Sequence, residues 1–260
     1  MRVRRAPCKN PSPGTPIVKL YQIVLSTQMA EHGKHIRSGF DNALGSLRND
    51  VLMMSSLTER LLENAIQGLL KRDSDLCNLT IADDEEIDLL EKMVDHEGVE
   101  ILIRFQPVAS DMRQVISTMK LSTNLERIAD QSVVIARRAK KLNREVAVPE
   151  VALIEPLHQE AIGIFRDSLR AFVDGNFELA LQLKPRDRHL DALNADVNEK
   201  LTERMAAVPE SVAIYMHIIF IARALERIGD HATNIAEDAF WVEQAEDIRH
   251  TYAPKKDQTR

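Results

Sequence analysis

The chain predicts an all-α fold of two tandem three-helix bundles related by internal duplication. Three observations lead there. Aromatic residues make up only 4% of the 260 residues, and there are nine glycines; a β-sandwich or barrel usually needs more of both. From residue 34 onward, apolar residues recur at the three- and four-residue spacing of a helix packed on one face. Finally, Leu125-Glu126-Arg127-Ile128-Ala129-Asp130 returns as Leu225-Glu226-Arg227-Ile228-Gly229-Asp230, with five of six residues identical, the mark of an internal repeat.

Residues 1–28 hold Arg2, Arg4, Arg5, Lys9 and Lys19, no acid, and four of the ten prolines. They read as a disordered arm. A signal peptide fits poorly, because Lys19 and Gln22 interrupt the apolar run from Ile17 to Leu25 and no small-residue cleavage site follows. Met29 opens a more ordinary sequence and is a candidate start. Six helices are expected over 34–71, 74–104, 107–143, 150–174, 177–206 and 209–246. Pro107, Pro149, Pro156, Pro185 and Pro209 serve as punctuation. The first repeat then spans 29–146 and the second 147–250, leaving 251–260 as a tail.

The apolar stripes carry this reading. In the first helix, Phe40, Leu44, Leu47, Val51, Met54, Leu61, Ala65 and Leu69 share a face. In the third, Val115, Met119, Leu125, Ile128, Ile135, Ala139 and Leu142 do so. One hundred residues on stand Tyr215, Ile219, Leu225, Ile228, Ile235, Ala239 and Val242. The second helices correspond at an offset of 103, pairing Leu76 with Leu179, Asp84 with Asp187, Asp88 with Asp191 and Leu90 with Leu193. The second copy is therefore three residues shorter between its second and third helices.

Composition narrows the function. No run of 18 apolar residues exists, so no spanning helix is expected. Cys8 and Cys77 are too few for a disulfide framework or a thiolate metal site, and a reducing compartment is the plain reading. The formal charge of −6 becomes −11 for residues 29–260 once the basic arm is set aside. An acidic body disfavours nucleic acid and suits cations or basic surfaces.

Each repeat carries two acid pairs at i,i+4 spacing: Asp84/Asp88 with Glu126/Asp130, and Asp187/Asp191 with Glu226/Asp230. That spacing places both carboxylates on one helix face, where like charges repel by a few tenths of a kcal/mol. One such pair is usually a solvated face. Four pairs at equivalent places point to a site for a hard cation such as magnesium, manganese, iron or calcium, if the second and third helices of each unit run antiparallel. The solvated face stays the alternative. Arg127 and Arg227 are read first as ion-pair partners, and otherwise as groups orienting the acids. Asn234 is a candidate further ligand or a surface amide. His32, His35, His189 and His250 read as surface residues.

The segment Leu225-Glu226-Arg227-Ile228-Gly229-Asp230-His231-Ala232-Thr233-Asn234-Ile235-Ala236-Glu237 resembles the signature of the PhoU family. Phe105-Gln106-Pro107-Val108-Ala109-Ser110-Asp111-Met112-Arg113 and the opening Phe40-Asp41-x-x-Leu44-x-x-Leu47-Arg48 resemble it too. The resemblance spans about residues 29–250, and Ala129 departs from it where glycine is usual. It implies tandem three-helix bundles and metal clusters, single or multinuclear, holding iron, manganese, zinc or magnesium at Asp84, Asp88, Glu126, Asp130, Asp187, Asp191, Glu226 and Asp230. It also implies a non-enzymatic, cytoplasmic regulator that damps a phosphate ABC transporter and keeps the sensor histidine kinase of the phosphate-starvation response inactive when phosphate is plentiful. Partners would be the transporter's ATPase subunit, the kinase and a second copy of the chain. They would bring it to the inner face of the membrane without insertion.

Two other readings compete. A ferritin-like di-metal oxidase would use paired Glu-x-x-His motifs; the body offers only Glu155-Pro156-Leu157-His158. A metal-free helical scaffold needs no site at all. No Ser/His/Asp or Cys/His arrangement and no phosphate-binding glycine loop is recognisable, so phosphate itself is not an expected ligand.

Overall fold

A computed structural model describes the backbone of residues 16–249 and the side chains from residue 37. Six long helices follow one another: α1 (Pro16–Leu70), α2 (Ser74–Phe105), α3 (Ala109–Leu142), α4 (Ile154–Asp174), α5 (Phe177–Ala207) and α6 (Val212–Gln244). Short 3-10 turns, Pro149–Leu153 and Pro209–Ser211, lead into α4 and α6. No strand occurs among the described residues. The chain divides into two units, Met1–Gly45 and Ser46–Arg260, and every contact discussed below lies within the second.

One expectation is corrected at the start of the chain. Residues 16–28, read as part of a disordered arm, are helical and continuous with α1. Pro16 occupies the first helical position, where its missing N–H costs nothing, and no further proline or glycine follows before Gly33. Residues 1–15, Cys8 among them, the side chains of His32 and His35, and the tail from His250 lie outside the described residues.

Local chemistry sets the corners. Asp73 caps α2: its Oδ1 accepts from the backbone N–H of Asp75 at 2.9 Å and of Leu76 at 3.2 Å. Asn176, at the equivalent place, caps α5 by accepting from the Leu179 N–H at 2.9 Å. The turn before α2 is tight enough to require Gly68, where an added Cβ would lie 2.6 Å from Cys77 Sγ and 3.0 Å from the Asp73 carbonyl. Arg72, at φ +57°, reaches across this turn. Its Nη2 donates to the backbone carbonyls of Asn143 at 3.0 Å and Glu145 at 2.6 Å. Pro185 does not interrupt α5. It and Leu181, whose carbonyl loses its helical donor, both face solvent.

The three-residue shortening of the second copy can be placed. α5 is one residue shorter than α2. The linker Gln106–Val108 is replaced by Val208 alone, after which the 3-10 turn at Pro209 takes the place of the first turn of α3.

Helices α3 and α6 pack against each other at the centre; α2 lies on α3, and α4 and α5 lie on α6 and on one another. Leu47, Val51, Met54, Leu61, Ala65 and Leu69 of α1 are buried, as are Leu125, Ile128 and Ile135 with their counterparts Leu225, Ile228 and Ile235. Met119, Ile219 and Val242 are half-buried. Because the central helix pair joins one repeat to the other, Ser46–Arg260 forms one unit rather than two.

Candidate functional site

The packing of α2 on α3, and of α5 on α6, brings each set of expected acids together. In the first repeat Asp84 has its pKa raised by burial, then by the charges of Asp130 and Asp88. Glu126 is pushed up to about 7, first by burial, then by Asp130, with Glu91 and Asp88 adding and Arg127 opposing. In the second repeat Asp187 is pushed up to about 6 by burial, then by Asp230 and Asp191, against Lys184. Glu226 rises for the same reasons, burial first and then Asp230 and Asp191, opposed by Arg223 and Arg227. Asp230, at the rim, is raised by partial desolvation and then by Asp191. The four expected acids of each repeat therefore act on one another electrostatically.

Two oxygens are conspicuous. Glu126 Oε2 is buried and accepts no hydrogen bond, and Asp187, whose Oδ1 is buried, has the Thr233 hydroxyl beside it as a donor. Arg127 Nε stands 3.3 Å from Glu126 Oε2 but lacks hydrogen-bonding geometry, and its Nη1 lies 3.7 Å from Asp130 Oδ2. Arg127 is thus an intrahelical ion-pair partner. A buried acceptor without a donor costs roughly 1–3 kcal/mol, and a hard cation or a proton is what such an oxygen can take. The donor set is all oxygen, which fits magnesium, manganese or iron better than a soft metal. Among the described residues no three His, Cys, Asp or Glu side chains stand close enough to ligate one ion as they are placed.

Sequence reasoning missed two members. Glu91 acts on Glu126; it lies three residues after Asp88 and seven after Asp84, on the same helix face. Its counterpart at the offset of 103 is Asn194, whose Nδ2 donates to Glu226 Oε2 at 2.9 Å and whose Oδ1 accepts from Asn198 Nδ2 at 3.3 Å. The repeat alignment was the available signal for both. Asn234 is exposed and stands in a groove with Lys120, Thr123, Asn124, Asp238 and Arg249, so it is a surface amide. His189 is exposed, as expected.

The oxidase alternative loses its footing. Glu155 is exposed, whereas His158 is 4% exposed with Nε2 3.7 Å from Glu63 Oε2. His158 is buried against Glu63 while Glu155 faces solvent, and the charges acting on His158 are those of Glu63, Arg166 and Glu155, not those of either cluster.

Comparison with known proteins agrees with the duplicated fold. A family profile described as the PhoU domain matches twice, over residues 51–139 and 154–239. The chain is 36% identical, over 83% of its length and 85% of the relative's, to a protein of Pseudomonas putida named phosphate-specific transport system accessory protein PhoU homolog. It is 31% identical, over 84% of its length and 90% of the relative's, to the phosphate-specific transport system accessory protein PhoU of Escherichia coli K12. The crystal structure of PhoU from Pseudomonas aeruginosa superposes with a TM-score of 0.78 at 33% identity, over 80% of this chain and 100% of that one. That of the phosphate transport system regulatory protein PhoU from Streptococcus pneumoniae, 24% identical, shares the fold at a TM-score of 0.74 over 80% and 99%. With its family domain present twice, in one α3–α6-centred body, the chain belongs to the PhoU family.

Proposed function

We propose that this protein regulates phosphate uptake and the phosphate-starvation response, damping the phosphate ABC transporter and holding the sensor histidine kinase inactive when phosphate is plentiful. The names of its relatives support the link to phosphate-specific transport. The observation that carries the mechanism is the pair of half-buried carboxylate clusters, one per repeat, each with a buried carboxylate oxygen. In this reading the protein is an adaptor, not an enzyme. It works in the cytoplasm against the transporter's ATPase subunit and the kinase, as a dimer; no described helix is long and apolar enough to cross a membrane.

In the same reading Asp84, Asp88, Glu126 and Asp130 hold one metal site, and Asp187, Asp191, Glu226 and Asp230 the other. Iron, manganese, zinc or magnesium would neutralise the mutual repulsion of the acids. Glu91 adds a fifth negative charge to the first cluster, and Asn194 holds Glu226 in place in the second. Deleting the gene should raise starvation-gene expression in rich phosphate, and the purified protein should capture the ATPase subunit or the kinase domain. A deletion strain with normal repression would overturn the regulatory reading. Elemental analysis should find metal that Asp88→Asn with Glu126→Gln halves, and chelation should lower the melting temperature by linkage. A metal-free native protein that those substitutions stabilise would overturn the metal sites alone.

A further inference from the structure

The two central helices end differently in a way that the duplication does not require. At the end of α3, Arg137, Arg138, Lys140, Lys141 and Arg144 line a groove of about 490 Å³ whose bed is Ile81 of α2 and Val134. Among the described residues none of the five is ion-paired with a carboxylate. Arg138 is held in place, its guanidinium 4.2 Å above the Phe220 ring and its Nη1 3.3 Å from His217 Nδ1. Acids are not absent from the neighbourhood: Asp84 feels Arg137, Asp73 acts with Lys140 on Cys77, and Glu145 acts with Arg138 and Lys141 on His217.

One hundred residues on, the same positions are Glu237, Asp238, Phe240, Trp241 and Gln244. There the acids are paired. Lys184 Nζ meets Glu237 Oε1 at 2.7 Å, Lys120 Nζ meets Asp238 Oδ1 at 2.8 Å, and Lys120 also lies 4.9 Å from the centre of the Trp241 ring. α6 has no basic residue in its last turn, so the scaffold does not need cations to balance a helix C-terminus. Five like charges within two turns repel one another unless an anion lies among them.

We propose that this groove binds a small organic polyphosphate, of the class of a nucleoside di- or triphosphate. Four of the cations span about 6 Å of helix and Arg144, in the turn after it, extends the row, which suits two or three linked phosphoryl groups rather than one orthophosphate. Arg137, Arg138 and Arg144 offer planar forks suited to phosphoryl oxygens. Ile81 and Val134 give the nucleoside an apolar bed, and the volume lies within the roughly 300–1,000 Å³ usual for small-molecule sites. The inference stands apart from the regulatory reading, since it uses neither carboxylate cluster as a ligand.

The test is calorimetric titration of the full chain, in chelator, with ATP and with tripolyphosphate at about 0.05 and 0.2 M salt. Saturable binding is expected, weakened at the higher salt and tighter for ATP than for tripolyphosphate. Arg137→Gln/Lys141→Gln/Arg144→Gln, three exposed positions, should weaken it about tenfold or more with an unchanged melting curve, and Lys200→Gln should leave it alone. No saturable binding below about 1 mM, or equal affinity in the triple variant, overturns the site. Equal affinity for the two probes overturns the nucleoside bed. A poly-glutamate peptide that displaces ATP and binds more tightly would assign the groove to an acidic protein segment instead.

Discussion

The two carboxylate clusters are built on one plan but hold different groups. The first gathers five acids, with Glu91 behind Glu126, and Glu126 is driven up to about 7. The second replaces Glu91 with Asn194, which donates a hydrogen bond to Glu226 at 2.9 Å, and it has Lys184 beside Asp187. Packing beneath the clusters differs as well. Gly229 leaves room for Leu190, whose Cδ2 would lie 2.4 Å from an added Cβ. The first repeat has Ala129 and Ile87 in those places. Exchange of one charge for one amide therefore changes how strongly a cluster needs a cation or a proton, without moving the helices that carry it.

The largest expected effect separates the clusters by pH. A carboxyl whose folded pKa is raised keeps its proton longer in the folded chain than in the unfolded one. For Glu126 the metal-free protein should be unpenalised below about pH 4.5 and lose stability as pH rises through about 7. Glu126→Gln should recover on the order of 2 kcal/mol in chelator at pH 8 and nothing at pH 4. Glu226→Gln should recover less, because it also leaves Asn194 with a weaker acceptor. Melting curves of both variants across pH decide this, and equal gains would erase the contrast.

Making the second cluster resemble the first should cost nearly as much. Asn194→Asp removes a donor and adds a charge, so a loss of about 1–2 kcal/mol is expected at neutral pH, visible in urea denaturation, with the Glu226 pKa moved further up by NMR titration. An unchanged Glu226 would mean that Asn194 does not set the difference. Gly229→Ala sets a helix gain of up to about 1 kcal/mol against overpacking of about 1–3 kcal/mol. A net loss near 1 kcal/mol is expected, and a net gain would show that Leu190 yields freely. The smallest effect tests the corners. Asp73→Ala and Asn176→Ala should each cost about 1 kcal/mol, the former more because it serves two N–H groups; the reverse order would show that the caps are not equivalent.

Much of this was legible beforehand, for reasons that name its limits. α2, expected over 74–104, spans Ser74–Phe105, and α4, expected to end at 174, ends at Asp174. Capping residues, prolines and the glycine after α4 (Gly175, φ +64°) leave little freedom at those corners. The helical stretch from residue 16 to 28 was hidden because proline density and basic charge resemble an unfolded segment even where a proline merely starts a helix. The eight acids were readable because repetition lent weight to a spacing that is commonplace alone. Glu91 escaped because the search stopped at i,i+4. Asn194 escaped because an amide shows no charge, and its role exists only opposite Glu226.

Arg72 bears on how the chain comes off the ribosome. Its guanidinium binds the carbonyls of Asn143 and Glu145, some seventy residues later, while its own backbone sits at φ +57°, a posture that costs a non-glycine residue roughly 1 kcal/mol or more. The posture completes a cap of α1, in which the Asp73 N–H meets the Gly68 carbonyl at 2.9 Å and the Arg72 N–H that of Leu69 at 3.3 Å, but until residue 145 has emerged the corner lacks its tertiary partner. Once it emerges, one side chain ties the α1–α2 corner to the segment that follows α3. The corner therefore gains its tertiary tie only after the whole first repeat has been made, as the second set of helices begins to appear.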